Sequence, residues 1–387
     1  MIEDDIYRAS SQFRYWSYTK ESLARIRQET NKLASQRVKA AFRRVHDATR
    51  LSQNGDSHND GAGISDGTAA DYVEIETLTV NEELKIVEWG CSKIMDMGEA
   101  MNPRIPSHVV ATAIQYLRRF YLTNSPMTYH PKQIMMCALY LATKADHFYI
   151  SLSRFIAELN NVSEDDVKAP EFLLLQGLRF TLDVRHPMKG LQGGHVEMNV
   201  LAEEGRSGSS ITKASGSEKR IGVAADKAKK LLATAAQMTD AYFLYTPSQI
   251  WLGAVMVADR ELAEAYISAK LEALPFSADD LDTAADHFKQ KLMATIASCA
   301  TLLESYRSPE DDAAQRKEMR RIGKKLTVCQ NPEKMDIVAV ARAKAAAKRE
   351  GGEGTDAEKA LKKRKLERER LERDGDVFGP ELRDVKG

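Results

Sequence analysis

The sequence predicts an all-α protein. Apolar residues recur at helical spacing along most of the chain, and few stretches alternate apolar and polar residues with the period of a β-strand. Several helix-start signals punctuate this pattern. The length of 387 residues suits two modest domains with tails. Lys plus Arg and Asp plus Glu number 56 each, so no overall charge draws the chain to nucleic acid or an anionic membrane.

The cysteines and the N-terminus predict the compartment. Cys91, Cys137, Cys299 and Cys329 lie far apart in the sequence, which indicates a reducing compartment without disulfides. The acidic start of the chain lacks the apolar segment of a secretion signal, and no run of eighteen apolar residues occurs. We therefore expect a soluble protein that is not secreted.

The first half of the chain predicts an N-terminal helical segment and a five-helix domain. The segment covers residues 10–45, and a flexible insertion rich in Asn, Asp, Gly and Ser covers 46–72. The domain covers 73–185. Thr79 and Glu82 have the spacing of a capping box at its first helix, and Pro106 and Pro131 each open a further helix.

The third helix of this domain is predicted to be its centre. Residues 134–142 are apolar almost all round, which is typical of a helix enclosed by others. Residues 152–159 and 167–178 supply the remaining two helices.

The second half predicts a similar domain. A flexible linker rich in Gly and Ser covers 186–216, and the domain covers 217–306, beginning with a long helix through residue 241. Thr246 and Gln249 then form a capping box with Pro247 at the first helical position. The helices that begin at Pro106 and Pro247 have similar sequences, each with small and apolar residues after the proline. We therefore interpret the two domains as two copies of one helical unit; the alternative is a chance similarity between two helices that begin with proline. Residues 307–387 form a charged, helical and solvated tail.

The sequence shows no catalytic, metal or cofactor motif. Phosphate-binding loops, His-Glu-x-x-His, Cys-x-x-Cys and Gly-x-Ser-x-Gly are all absent. Gly61 and Gly63 follow no strand and suit a linker better than a dinucleotide site. Asp146 and His147 are adjacent, so they point in different directions on a helix and lack a third ligand. We therefore expect a non-catalytic protein without a cofactor.

Two motifs carry a family resemblance. Leu-Tyr-Leu-Ala-Thr-Lys at 139–144, and Glu171 followed by an apolar stretch through Phe180, resemble the cyclin box, a five-helix unit usually present twice. The resemblance implies that Lys144 and Glu171 lie together and bond the backbone of a cyclin-dependent kinase. It assigns apolar kinase contacts to a further four residues: Leu141, Leu175, Phe180 and Leu182. The alternative is a solvated ion pair above core leucines.

Three longer segments resemble the cyclin H branch of that family. They cover residues 10–16 followed by 23–27, then 119–131, and then 240–250. This resemblance implies the regulatory subunit of the CDK-activating kinase, with a kinase catalytic subunit, an assembly factor and the TFIIH core as partners, in the nucleus. A basic run in the tail is then a candidate nuclear import signal, or else an ordinary solvated helix: Lys362, Lys363, Arg364 and Lys365.

Two other assignments and two departures bear on this resemblance. A TFIIB-like nucleic-acid-binding factor also has two cyclin repeats, but the chain lacks paired cysteines for a zinc ribbon and a basic excess. A cyclin C relative fits the N-terminal segment less well. His147 stands where many cyclins have an acidic residue, and the first helix of the first domain lacks the Met-Arg-x-x-Leu substrate-docking motif.

Overall fold

The structure is a computed structural model that describes residues 3–54, 75–159, 162–204, 217–272, 281–307 and 313–331. Regular secondary structure in these ranges is helical, as the sequence predicted. In chain order the helices are α1 Glu3–Ala9, α2 Ser11–Trp16, α3 Lys20–Asn54, α4 Val80–Ala100, α5 Ser107–Thr123, α6 Pro131–Ala145, α7 Leu152–Ala157, α8 Glu164–Lys168, α9 Glu171–Gly177, α10 Met188–Glu204, α11 Ser217–Ala233, α12 Ala235–Met238, α13 Ala241–Leu244, α14 Pro247–Ala258, α15 Arg260–Glu272, α16 Leu281–Glu304 and α17 Ala313–Gln330.

The chain divides into two compact units. Unit 1 comprises Met1–Arg25, Gly90–Phe120 and Lys132–Ser308, and unit 2 comprises Ile26–Trp89, Tyr121–Pro131 and Pro309–Gly387. No described helix is long and apolar enough to cross a membrane. The candidate site described below lies in unit 1.

The predicted central position of α6 and the predicted start of α14 are both confirmed. The middle of α6 is enclosed, with Ala138, Leu139 and Ala142 each 0% exposed. Helix α14 begins with the predicted capping box, in which Thr246 and Gln249 satisfy each other's backbone N–H groups. It packs against α11, α15 and α16. Both helices are therefore apolar almost all round because neighbours surround them.

Several predicted helices of unit 1 are divided. The stretch predicted as one helix over 167–178 is split into α8 and α9 at Pro170, because proline has no N–H to continue the hydrogen bonds of α8. The long helix predicted from residue 217 to 241 is split into α11, α12 and α13, with non-helical backbone at Thr234 and Thr239.

The prediction of a flexible linker over 186–216 is wrong for residues 188–204, which form α10. Leu191, Met198 and Ala202 of this helix are buried in the core of unit 1. A Cβ built at Gly190 or Gly194 would lie 2.5 Å from a Trp251 atom. These glycines therefore reflect a close approach of α10 to the Trp251 ring, whereas the composition suggested flexibility. Residues 205–216 lie outside the described ranges.

Unit 2 corrects two further boundaries. Helix α3 runs to Asn54, into the predicted insertion, whose residues 55–72 lie outside the described ranges. The tail was predicted to be solvated, yet α17 is packed into the core of unit 2. That cluster consists of Ala34, Val38, Phe42, Leu78, Ile86, Met127, Ile322, Leu326 and Cys329. The apolar positions of α17 fall on one face despite its high charge.

Candidate functional site

Helices α6 and α9 bring the predicted ion pair together. Lys144 lies in the last turn of α6 and Glu171 in the first turn of α9. These positions are favourable because helix dipoles stabilise cations at the C-terminus and anions at the N-terminus. The Lys144 ammonium donates directly to Glu171 Oε1. Their side chains are 39% and 29% exposed, so another protein can reach the pair.

Aromatic rings support the Lys144 side chain. Its Nζ lies 5.1 Å from the centre of the Tyr140 ring, one turn earlier on α6. Tyr140 in turn packs against Phe155 with ring centres 5.2 Å apart. A cation over an aromatic face is attracted by the ring quadrupole. Lys144 is thus held by both a carboxylate and a ring.

The predicted apolar contacts fall into three classes of exposure. Phe180 is 62% exposed, while Leu141 is 4% exposed and belongs to the core. Leu175 and Leu182 are half-buried. Of the four, Phe180 is the one that presents a large apolar side chain to solvent, and Leu141 lies beneath the surface.

Two exposed aromatic residues were missed by the sequence analysis. Phe172 is 63% exposed and Tyr149 is 80% exposed. The rings of Phe172 and Phe180 meet edge to face with centres 6.1 Å apart. Helix α9 has seven residues, too few for periodicity to separate the buried Leu174 from the exposed Phe172. We call Lys144, Glu171, Phe172 and Phe180 the pair-and-ring surface.

An unusual backbone turn orients Phe180. Arg179 and Phe180 both have φ of 53°, in the left-handed region that costs residues with a Cβ about 1–2 kcal/mol each. The Phe180 N–H donates to the Leu175 carbonyl at 2.9 Å, which closes the end of α9. Surrounding contacts must hold this conformation.

Trp16 of α2 supplies such contacts. It is 1% exposed, and its indole N–H donates to Thr181 Oγ1 at 2.9 Å. The guanidinium groups of Arg119 and Arg179 lie 5.1 and 5.2 Å from the centre of its ring. Residues 179 and 181 are therefore both tied to the N-terminal helix.

Gln12 completes the attachment of α2. Its Oε1 accepts from Arg119 Nη2 at 3.2 Å and from the Arg185 backbone N–H at 2.7 Å. Burial lowers the pKa of Arg119 to about 10, so this side chain remains charged at neutral pH. Helix α2 therefore contacts the chain after α9 at Arg179, Thr181 and Arg185.

Asp146 and His147 are adjacent in sequence but contact different partners. Asp146 accepts from Thr112 Oγ1 at 2.6 Å, whereas the exposed His147 ring pairs with Tyr149 OH at 3.0 Å. No group of three potential metal ligands occurs within the described residues. The four cysteines are free and buried. Burial, followed by the nearby Glu171 charge, raises the pKa of Cys137 to about 12, which leaves its thiol protonated.

Sequence comparisons match two consecutive segments of the chain to the two domains of one family. Residues 85–183 match the family described as Cyclin, N-terminal domain, and residues 186–304 match the Cyclin C-terminal domain. Together these matches span more than half of the chain.

Curated relatives are also cyclins. The chain is 34% identical to Cyclin CCL1 of Saccharomyces cerevisiae over 69% of this chain and 62% of that protein. It is 27% identical to Cyclin mcs2 of Schizosaccharomyces pombe over 85% of this chain and 86% of that one. For Cyclin-H of Xenopus laevis, identity is 31% over 47% of this chain and 54% of the relative. The matches to CCL1 and Cyclin-H thus span less than two thirds of those proteins.

Two solved structures are similar to this chain. A chain in the structure of the CAK complex from Chaetomium thermophilum bound to ATP-gamma-S is 29% identical, with a TM-score of 0.67, covering 92% of this chain and 98% of that one. A chain in the yeast TFIIK (Kin28/Ccl1/Tfb3) complex is 28% identical, with a TM-score of 0.54, covering 77% of this chain and 100% of that one.

Proposed function

The chain belongs to the cyclin family, and on that premise we propose that it is a cyclin H-like regulatory subunit that binds and activates a cyclin-dependent kinase. The observation that carries this proposal is the Lys144 and Glu171 ion pair beside the exposed Phe172 and Phe180 rings. A fixed donor and acceptor next to apolar rings suits recognition of a partner helix, because the rings exclude water from the polar contacts.

The proposed mechanism is a population shift. Lys144 donates to carbonyl groups and Glu171 accepts from N–H groups of the backbone around the kinase's mobile regulatory helix. Phe180, Leu175 and Leu182 cover those bonds. A surface complementary to one orientation of that helix stabilises the active state and leaves the inactive one less populated. In this proposal the kinase supplies the catalytic groups, and the role of this chain is non-catalytic.

The proposed assembly is a CDK-activating kinase. The similar chains come from a CAK complex and from TFIIK, which contains Kin28 and Tfb3 beside Ccl1. We assign this chain a kinase catalytic subunit, an assembly factor and the TFIIH core as partners, and the nucleus as its location. The import candidate over residues 362–365 lies outside the described residues. The relatives above are cyclins, and nothing in the site favours the TFIIB-like alternative.

Titration against a kinase subunit tests this function. The kinase catalytic subunit should bind the full chain and gain phosphotransfer activity, whereas the isolated chain should transfer no phosphate from ATP. Phe180→Ala should weaken binding at least tenfold, because exposed aromatic anchors dominate interfaces. Phe288→Ala is a matched control, since Phe288 is 48% exposed and lies on α16. Equal affinity of both variants would remove this surface from the interface.

A further inference from the structure

Unit 1 contains a cavity of about 500 Å³ that the proposed kinase contact does not use. Its walls come from α4, α5, α11 and the start of α10, and they include the buried apolar residues Ile105, Ile114 and Leu232. A cleft of this size, largely apolar with a few polar groups, has the dimensions of small-molecule sites. The arrangement of its polar groups indicates which ligand it suits.

The floor of the cavity is a saturated chain of hydrogen bonds. Tyr242 OH lies 3.0 Å from His186 Nδ1, and His186 Nε2 lies 2.9 Å from Thr112 Oγ1. Burial, followed by the positive charge of Arg119, lowers the pKa of His186 to about 3, so its ring is neutral and has one N–H. Asp146 only accepts, so the Thr112 hydroxyl donates to it. His186 therefore donates through Nε2, and Tyr242 donates to Nδ1.

Gln237 closes the other end of this chain. Its Nε2 donates to Tyr242 OH at 2.8 Å and to the Leu232 carbonyl at 3.2 Å, while its Oε1 accepts from Gln115 Nε2 at 2.9 Å. The donors of His186, Gln237 and Tyr242 are thus all engaged. A ligand reaching the floor finds no spare donor, so a hydrogen-bond acceptor at its deep end would be left unpaired and an apolar group is favoured there.

The mouth of the cavity has the opposite character. Its exposed lining residues include Glu99, Arg104, His108 and Lys229. Arg104 is paired with Glu99 at 2.7 Å. The side chains of Lys229 and His108 have no hydrogen-bond or ion-pair partner among the described residues. The uncompensated charge at the mouth is therefore positive.

We propose that this cavity binds a small amphipathic carboxylate. The apolar body lies between α5 and α11 against Ile114 and Leu232, and the carboxylate lies at the mouth beside Lys229 and His108. The apolar walls provide most of the affinity, and the unpaired Lys229 ammonium selects the anion. This site is separate from the pair-and-ring surface, so it does not depend on the proposed kinase function.

Binding of 4-phenylbutyrate to the full chain, measured by calorimetry and ligand-detected NMR, tests the proposal. We expect a dissociation constant of about 1 mM or below for a ligand of this size. The neutral analogue 4-phenylbutanol should bind about fivefold more weakly, as should 4-phenylbutyrate to Lys229→Ala. Lys230→Ala, the neighbouring exposed lysine outside the cavity lining, is the control and should bind normally.

A blocking variant and the assembled complex complete the test. Ala233 is an exposed lining residue, so Ala233→Trp should fill the mouth and abolish binding without lowering the melting temperature. Equal binding of acid and alcohol, or unchanged binding to Ala233→Trp, would overturn the proposal. Loss of binding once the kinase and its assembly factor are bound would also overturn it, because the cavity would then be a protein interface.

Discussion

Trp16 and Thr181 lie 165 residues apart in sequence, and the Trp16 indole N–H donates to the Thr181 hydroxyl at 2.9 Å. Thr181 follows directly after Arg179 and Phe180, which both have left-handed backbone. The N-terminal helix α2 therefore holds the turn that presents Phe180. This contact links an element outside the two matched cyclin domains to the proposed kinase surface.

Trp16→Phe should weaken kinase binding although Trp16 itself is buried. The substitution keeps a ring beneath Arg119 and Arg179 but removes the donor to Thr181, which costs about 1 kcal/mol of folding stability. The freed turn should populate other backbone conformations and reduce kinase affinity severalfold. Thermal unfolding and titration of the variant measure the two effects.

Thr181→Val is the companion variant for this prediction. It removes the acceptor of the same bond and also the bond from the Thr181 hydroxyl to the Leu178 carbonyl, so the loss of kinase affinity in the double variant should be smaller than the sum of the two single losses. Fully additive losses of affinity would show that Trp16 and Thr181 act independently, and that the bond does not hold the turn.

Replacing either of two neighbouring glycines of α10 by alanine should change the free energy of unfolding, in opposite directions at the two positions. Gly194→Ala places a Cβ 2.5 Å from the Trp251 ring and should lower the free energy of unfolding by about 1–3 kcal/mol. Gly193 has nothing within 4 Å of its Cβ position, so Gly193→Ala should raise it by about 0.5–1 kcal/mol. Denaturant unfolding of both variants checks this, and equal effects would contradict the packing of α10 on Trp251.

The sequence predicted elements whose signals are local. Thr246, Pro247 and Gln249 lie within one turn, so their capping pattern is readable without knowledge of the tertiary structure. The packing of Gly194 against Trp251 joins residues far apart in sequence, and composition alone made α10 resemble a linker. In α17, Ile322 and Leu326 have helical spacing, but the many charged residues around them led to the prediction of a solvated tail.

The candidate site was predictable in part for the same reason. Lys144 and Glu171 were identified by resemblance to a family, and the structure brings them into contact. Periodicity could not have paired them, since they lie 27 residues apart with two other helices, α7 and α8, between them. The exposure of Phe172 depends on how a seven-residue helix lies on its neighbours, which no local pattern encodes.

Glu82 should make unit 2 sensitive to acid. Burial disfavours its charge, but the Thr79 N–H, Lys325 and Arg321 outweigh burial and lower its pKa to about 2. A carboxylate with a lowered folded pKa stabilises the fold fully above its unfolded pKa, near 4.5, and loses that contribution as pH falls toward 2. The contribution should be about 3 kcal/mol at pH 7 and about 1.5 kcal/mol at pH 3.

Denaturant unfolding of Glu82→Gln at both pH values measures this contribution. The variant should be much less stable than the parent at pH 7, and the difference should shrink by roughly half at pH 3. Glu318→Gln is the control, because the Glu318 pair with Lys85 is 40% and 43% exposed and contributes little. A difference for Glu82→Gln that does not change with pH would exclude an ionic role for this carboxylate.

Lys144→Ala and Glu171→Ala should each reduce kinase affinity by about 2–5 kcal/mol, because either loss leaves the other charge partly desolvated and unpaired in the complex. Folding should change little, since a pair this exposed contributes at most about 1 kcal/mol in the free chain. Lys168 and Glu164 form a matched exposed pair on α8, and Lys168→Ala should leave both quantities unchanged. Titration against the kinase and melting of the free variants separate the two roles. Wild-type affinity in both variants would remove the pair from the interface, whereas a large fall in melting temperature would make it structural.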